Sequence, residues 1–507
     1  MTAPSGQGDV KSAAPRSLTH RTMVGAGWMV LWRMVTRVLG VVSTLVLARI
    51  LVPADYGVVA IATTYVAIFD ALSEVGLQDA IVRTDRVDDA LLDTAFTISA
   101  LRGLMSGVVI ACSAPWAADF FNEQKLVSVL LVLAFFPIIE AVENIGVVEF
   151  RRQLRFEREF QLFLVPRIVS VAVTIALAFL LRSYWAMVFG LAALRVARLA
   201  LTYLMHPYRP RFSIAAWRRL ISFSFWTWLT AIASLGRDRS WAFVLGRLFD
   251  TVSVGVFMMA WEIAVLPINE VVAPICRALY SGFSAARNEG TRLGDTFTRA
   301  ITVVAVPILP AAIGISATAS YIVSLGLGEK WTSATSLIQW IAAASPFAVL
   351  TAIGATVMTT TGHLKNNFLI VLAGAVGGTL LCYLMAKRLG VVGAAQSLAI
   401  VIIAEGLAFG MAAAFSLGAS IRESASRLVR PAVATLVMAL VLWESGYGWV
   451  PLSGSIGEGM IECCAAVLIG AGTYGATLLL LWSVSGRPAG AESFLLELLR
   501  NRLSTER

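Results

Sequence analysis

The sequence predicts an all-α membrane protein of about fourteen spanning helices, set out as two pseudo-symmetric six-helix lobes with an appended helix pair. Three observations carry this: the apolar composition, the uneven distribution of loop cations, and an internal repeat. Of the 507 residues, 58% are hydrophobic and 14% charged, whereas soluble domains hold about 45–50% apolar residues. The longest polar stretches, residues 1–21, 277–299 and 490–507, are too short to build an aqueous core. The opening "MTAPSGQGDVKSAAPRS" has no apolar region behind a short basic start, so residues 1–21 read as a disordered cytoplasmic tail and not as a signal peptide.

A helix crosses the hydrocarbon core with about 20 apolar residues. That ruler places spans at 22–50, 57–78, 93–117, 126–148, 160–181 and 184–205, a first lobe over residues 22–205. A second lobe, 219–419, holds spans at 219–246, 252–276, 299–320, 335–361, 366–386 and 392–419. The appended pair, at 428–446 and 458–484, lies within residues 428–484, and 485–507 form a cytoplasmic amphipathic tail. Loops and tails on the side of the N-terminus carry 25 Lys and Arg. The opposite loops carry 6: Lys125, Arg182, Arg247, Lys330, Lys387 and Arg388. Cations are retained in the cytoplasm, so both termini are expected there. The net charge of +9 then reflects these loops and not nucleic-acid binding.

The repeat appears at the end of span 1, "LARILVPADYG" (47–57), and again at the end of span 7, "LGRLFDTVSVG" (245–255). Leu47, Arg49 and Gly57 match Leu245, Arg247 and Gly255 at one offset, which also pairs Trp28 with Trp226. A weaker echo pairs "RSYWAMVFG" from Arg182 with "RLGVVGAAQ" from Arg388. Spans 1 and 7 both start inside, so the halves are parallel repeats about an axis along the membrane normal, and proteins built this way bind cargo between the halves.

These residues carry a resemblance. "LARILVPADYGVVAIATTYVAIFDALSEVGLQDAIVR" (47–83) resembles the N-terminal signature of bacterial polysaccharide flippases, the Wzx-like branch of the multidrug, oligosaccharidyl-lipid and polysaccharide exporter superfamily. "RRQLRFEREF", "DRSWAFVLGRLFDTVSVGVF" and "LGEKWTSATSLI" look like later stations of that family in the same order, over residues 20–420. The nearest likeness is to the subgroup serving exopolysaccharides. The resemblance implies a MATE/MurJ-like two-lobed bundle that moves undecaprenyl-pyrophosphate-linked glycan repeat units across the inner membrane by alternating access. It implies a lipid-linked substrate, possible polymerase or export partners, and no cofactor. Arginines on both sides of Asp238 depart from the family's usual polar or apolar neighbours.

All nine cations inside spans are arginines, the side chain whose planar fork matches phosphate oxygens two at a time. Arg33 and Arg37 are four apart, as are Asp70 and Glu74 on the next span, so each pair shares a helix face. Two readings follow: a salt-bridge ladder between the helices, or a cationic stripe open to an anionic headgroup. The headgroup candidates are Arg33, Arg37 and Arg102, then Arg195 and Arg198, with Arg237 and Arg239 in the second lobe. Arg167 is expected to snorkel toward an interface. Asp70, Asp238, Glu262 and Glu405 are the candidates for coupling to H+ or Na+ or, alternatively, for structural pairing. "GRDRS" (236–240) on span 7 is expected to form a wet wall with Asp238 facing a central cavity. "FRRQLRFEREF" is expected to lie on the inner membrane surface as an amphipathic helix, and "ESFLLELLRNRL" likewise.

The three histidines read as interfacial side chains, and the five cysteines, lacking CxxC spacing, as buried thiols with no metal site. No P-loop or catalytic-triad spacing appears, and the outer loops are short. A membrane enzyme of surface-glycan assembly is therefore disfavoured. So is an exporter of small cationic drugs, which would want acidic sites without central arginines.

Overall fold

The computed structural model describes residues 18–73, 81, 88–153, 155–217, 225–268, 293–451 and 455–486; side chains are described from residue 34 onward. Among these every regular element is helical, and residues 206–214 form a non-helical connection. Nine helices among the described residues are long and apolar enough to cross a membrane, and the protein is a multi-pass membrane protein.

The first half contains α1 (Leu18–Ile50), α2 (Pro53–Ser73), α3 (Asp89–Phe121), α4 (Lys125–Leu133) and α5 (Phe135–Ala141). A short α6 (Val148–Arg152), α7 (Phe156–Leu181) and α8 (Trp185–Met205) complete it. The second half contains α9 (Phe225–Leu248), α10 (Thr251–Ala264), α11 (Leu293–Ala317), α12 (Ala334–Ala344), α13 (Ala348–Thr360) and α14 (Leu364–Leu417). The last pair is α15 (Ile421–Glu444) and α16 (Ile456–Val484).

Local chemistry sets the helix ends. Asp88 accepts from the Leu91 amide at the start of α3, and Asn122 closes that helix in the left-handed region. Ser455 and Glu458 form a capping box on α16.

Two expected single helices are interrupted, and two expected helices run together. The fourth span is divided between α4 and α5 with Pro137 just beyond the break, and Asn144 starts a 3-10 turn behind α5. The tenth divides at a 3-10 turn, Ser345–Phe347, holding Pro346. Proline removes a helical hydrogen bond and crowds the preceding turn, which accounts for the second break. Spans 11 and 12 run together in α14 and reverse only at Gly390, whose φ of 69° and ψ of −156° lie outside the helical region.

The segment "FRRQLRFEREF" departs from expectation. Its first part makes α6, while residues 156–160 are the opening turns of the span α7, so it is not one surface helix. The C-terminal amphipathic segment lies outside the described residues. The cysteines also differ: Cys382 is buried, but Cys112 and Cys464 are exposed. Both sit on apolar spans, where a thiol facing lipid carries no hydration penalty.

Within the first half α7 packs along α8, and α3 against α4 and α5. Within the second, α9 and α13 pack along α14. The appended pair lies on α11, where Tyr474 donates to the Val306 carbonyl at 2.6 Å and the Trp449 amide to Ala317 at 2.9 Å. The halves meet chiefly where α2 crosses α10. At that crossing, a Cβ on Gly57 would stand 1.7 Å from the Thr251 carbonyl oxygen, and one on Gly255 would stand 1.9 Å from that of Pro53. Lipid supplies no hydrophobic drive for helix association, so close backbone approach at small residues is how such contacts gain packing energy.

Candidate functional site

Three ionisable side chains from both halves come together between α1, α7 and α10. Arg37 lies on α1, three residues before Gly40. The absent side chain at Gly40 leaves room for Arg167 of α7, whose Nη2 lies 3.6 Å from where a Cβ would stand. From the second half, Glu262 of α10 interacts electrostatically with both guanidinium groups, more strongly with Arg37. Glu262 is exposed while Arg37 is half-buried. Arg167 thus turns onto α1 over Gly40, the residue whose lack of a side chain leaves it room.

A second cluster joins α9 to the distal part of α14. The Arg237 Nη1 donates to Glu405 Oε1 at 2.6 Å and its Nε to Asp238 Oδ1 at 2.8 Å. Glu405 is buried and Asp238 half exposed. The two arginines flanking Asp238 do not act alike, as helical geometry requires: Arg237 reaches α14, whereas Arg239 is half-buried further round α9. The guanidinium of Arg237 is committed to two carboxylates, which leaves it a poor headgroup ligand as it stands.

A ladder of arginines and carboxylates is also present on other helices. Glu140 on α5 and Glu143, just beyond its end, meet Arg195 and Arg198 on α8, the two carboxylates and the two arginines each three residues apart. Arg195 hydrogen-bonds Glu140, and Arg198 Nε stands 3.1 Å from Glu143 Oε2, with its guanidinium 5.3 Å over the Phe163 ring. The stripe first assigned to α1 and α2 lies only partly within view: Arg37 and Asp70 are half-buried, while the Arg33 side chain and Glu74 fall outside the described residues. Arg102 is half-buried on α3.

At the charge-rich end the structure holds a feature the sequence reading passed over. Asn144, fully buried, donates to the carbonyls of His206 and Tyr208 at 3.3 and 2.7 Å. From Tyr208 onward the connection between halves runs along the start of α3. Asp93 accepts from the Arg211 amide at 2.8 Å and from the Tyr208 hydroxyl. Thr97 accepts from Ser213 at 2.8 Å and Thr94 from Ala216 at 3.1 Å. Burial and the Asp93 contact hold the Tyr208 hydroxyl well above the usual phenol range, so it remains a donor. The spacing of "DTAFT", acceptors on one helix face, is the signal that could have revealed it.

Comparison with known proteins fits this architecture. Residues 46–336 match the family described as "Polysaccharide biosynthesis protein". The chain is 23% identical to "Lipopolysaccharide biosynthesis protein WzxC" of Escherichia coli (strain K12), over 64% of this chain and 66% of that protein, just under two thirds of its length. Among solved structures it resembles "Lipid II flippase MurJ, inward closed conformation", with a TM-score of 0.73 at 14% identity, covering 90% of this chain and 99% of that one. An inward-facing multidrug resistance MATE family transporter of the MOP superfamily aligns with a TM-score of 0.57 at 15% identity, over 76% of this chain and 94% of that one. At these identities the structural likeness establishes a shared fold.

Proposed function

The chain belongs to the polysaccharide biosynthesis protein family, and on that premise we propose that it carries a pyrophosphate-linked glycolipid across the bacterial inner membrane by alternating access. The observation that supports this best is the meeting of Arg37 and Arg167 with Glu262 at the boundary between the halves. A pyrophosphate presents paired anionic oxygens that two guanidinium forks can grip. In its absence Glu262 partly balances the arginines. Residues 22–205 and 219–419 act as the two lobes, 428–484 as an accessory pair, and both termini are cytoplasmic. Arg33 and Arg102 extend the cationic surface. Asp70, and Asp238 and Glu405 on Arg237, are where a proton or sodium ion would exert its influence. The protein so read is a transporter and not an enzyme, and a cationic drug would be repelled by the same arginines.

The test is accumulation. Deleting the gene, or replacing Arg37 and Arg167 by Ala, is expected to trap lipid-linked repeat units in the cytoplasmic leaflet while the variant remains inserted. Normal surface polysaccharide from the double variant would overturn the headgroup assignment.

A further inference from the structure

The internal repeat and the interface between the halves coincide at the charge-poor end, where Arg49 and Arg247 occupy matching positions. Each reaches into the opposite half. Arg49, at the end of α1, donates through Nε to the Gly326 carbonyl at 3.1 Å and through Nη2 to the Leu325 carbonyl. These carbonyls belong to the π-helical turn Ile322–Leu327 that follows α11. At Gly328, φ +97°, a Cβ would stand 3.4 Å from Nη1 of the same guanidinium. Arg247, at the end of α9, lies with its guanidinium 5.6 Å over the ring of Phe120, near the end of α3. Helices α3 and α11 are the third spans of their halves, so each arginine grips the same station of the other half.

The surroundings are closed in the same reciprocal way. Leu47 and Leu245, two residues before the arginines, are buried, and Gly57 and Gly255 seat against each other's opening turns as described above. Trp331, fully buried, donates to the Ala48 carbonyl at 3.0 Å and meets Tyr56 edge-on at 5.1 Å. Carbonyls at a helix end carry partial negative charge and lack helical donors, so a guanidinium fork satisfies them well. The two grips are unequal in kind: charge-assisted hydrogen bonds on one side, a cation over a ring on the other.

We propose that Arg49 and Arg247 are a reciprocal latch that holds the charge-poor end closed, with Arg49 the stronger arm, and that opening this end requires both to let go. The proposal rests on the alternating-access reading, but its test needs no glycolipid, so failure of one is distinguishable from failure of the other. Leu51, two residues from Arg49 and 1% exposed, reports closure. Leu51→Cys would be introduced into a chain whose five native cysteines are replaced by Ser, the protein reconstituted in lipid nanodiscs, and its reaction with a water-soluble maleimide timed.

Reaction should be slow in the parent. It should rise about tenfold with Arg49→Ala, given the usual worth of a charged hydrogen bond. With Arg247→Ala it should rise about two- to fivefold, as a cation–ring contact implies. Arg49→Lys keeps the charge and the fold but cannot span two carbonyls, and should also speed labelling. Unchanged rates in Arg49→Ala and Arg49→Lys would overturn the latch, as would fast labelling in the parent. An effect of Arg49 with none from Arg247 would overturn its reciprocity.

Discussion

Arg237 and Glu405 join α9 to α14 through a 2.6 Å hydrogen-bonded ion pair, and Glu405 is buried while making it. An ion pair taken out of water repays its desolvation only when both members are present. Arg237→Met should therefore destabilise by about 3–5 kcal/mol, the cost of stranding the buried Glu405 carboxylate, whereas Glu405→Met should cost less because Arg237 keeps Asp238. Arg237→Met with Glu405→Met should cost less than Arg237→Met alone. Thermal unfolding in detergent measures this, and additive losses would show that the pair is not coupled.

The α5–α8 ladder invites a similar comparison with a different readout. If Arg195 and Arg198 serve chiefly to hold Glu140 and Glu143, then Glu140→Ala and Arg195→Ala should lower the unfolding temperature to a similar extent. Restoring the pair in swapped order, Glu140→Arg with Arg195→Glu, should recover most of it. A headgroup role would instead leave Glu140→Ala stable and active and Arg195→Ala inactive.

The glycines at the α2–α10 crossing have no room for a side chain. Gly57→Ala and Gly255→Ala each drive a methyl into a carbonyl oxygen below 2 Å, so the helices must separate. We expect each to reduce folded protein in the membrane several-fold, measured by fluorescence-detected gel filtration. Wild-type yield from either would refute the crossing geometry.

The moored connection after α8 is best followed by amide exchange. Thr97→Val removes the acceptor for the Ser213 amide and Thr94→Val that for Ala216. Each should lose protection locally, by about tenfold if the bond is worth the usual 1 kcal/mol or somewhat more. Exchange that stays slow would mean the strand is held by other contacts.

Apolar length gave the expected elements well, because a bilayer imposes one ruler on every span: α1, α3, α7, α8, α11, α15 and α16 begin and end within a turn or two of their expected bounds. What the ruler cannot see is where a span breaks, as at Pro346 and beside Pro137, or where one run of hydrophobicity contains a reversal, as at Gly390. The repeat was legible from Leu, Arg and Gly at a fixed offset; that its two copies touch each other was not, since offset carries no distance. The same limit governed the charges. Side-chain pairing depends on the neighbour helix, so Arg195 and Arg198 looked open in sequence and prove engaged, while Arg167 looked peripheral and turns inward over Gly40.

The glycine crossing of α2 and α10 bears on speed. Glycine has no rotamers to lose, so when main chain meets main chain there is no side-chain layer to disorder on parting or to re-sort on return. Under the proposed latch, the timing of opening at the charge-poor end is then set by the release of two carbonyls by Arg49 and not by this crossing.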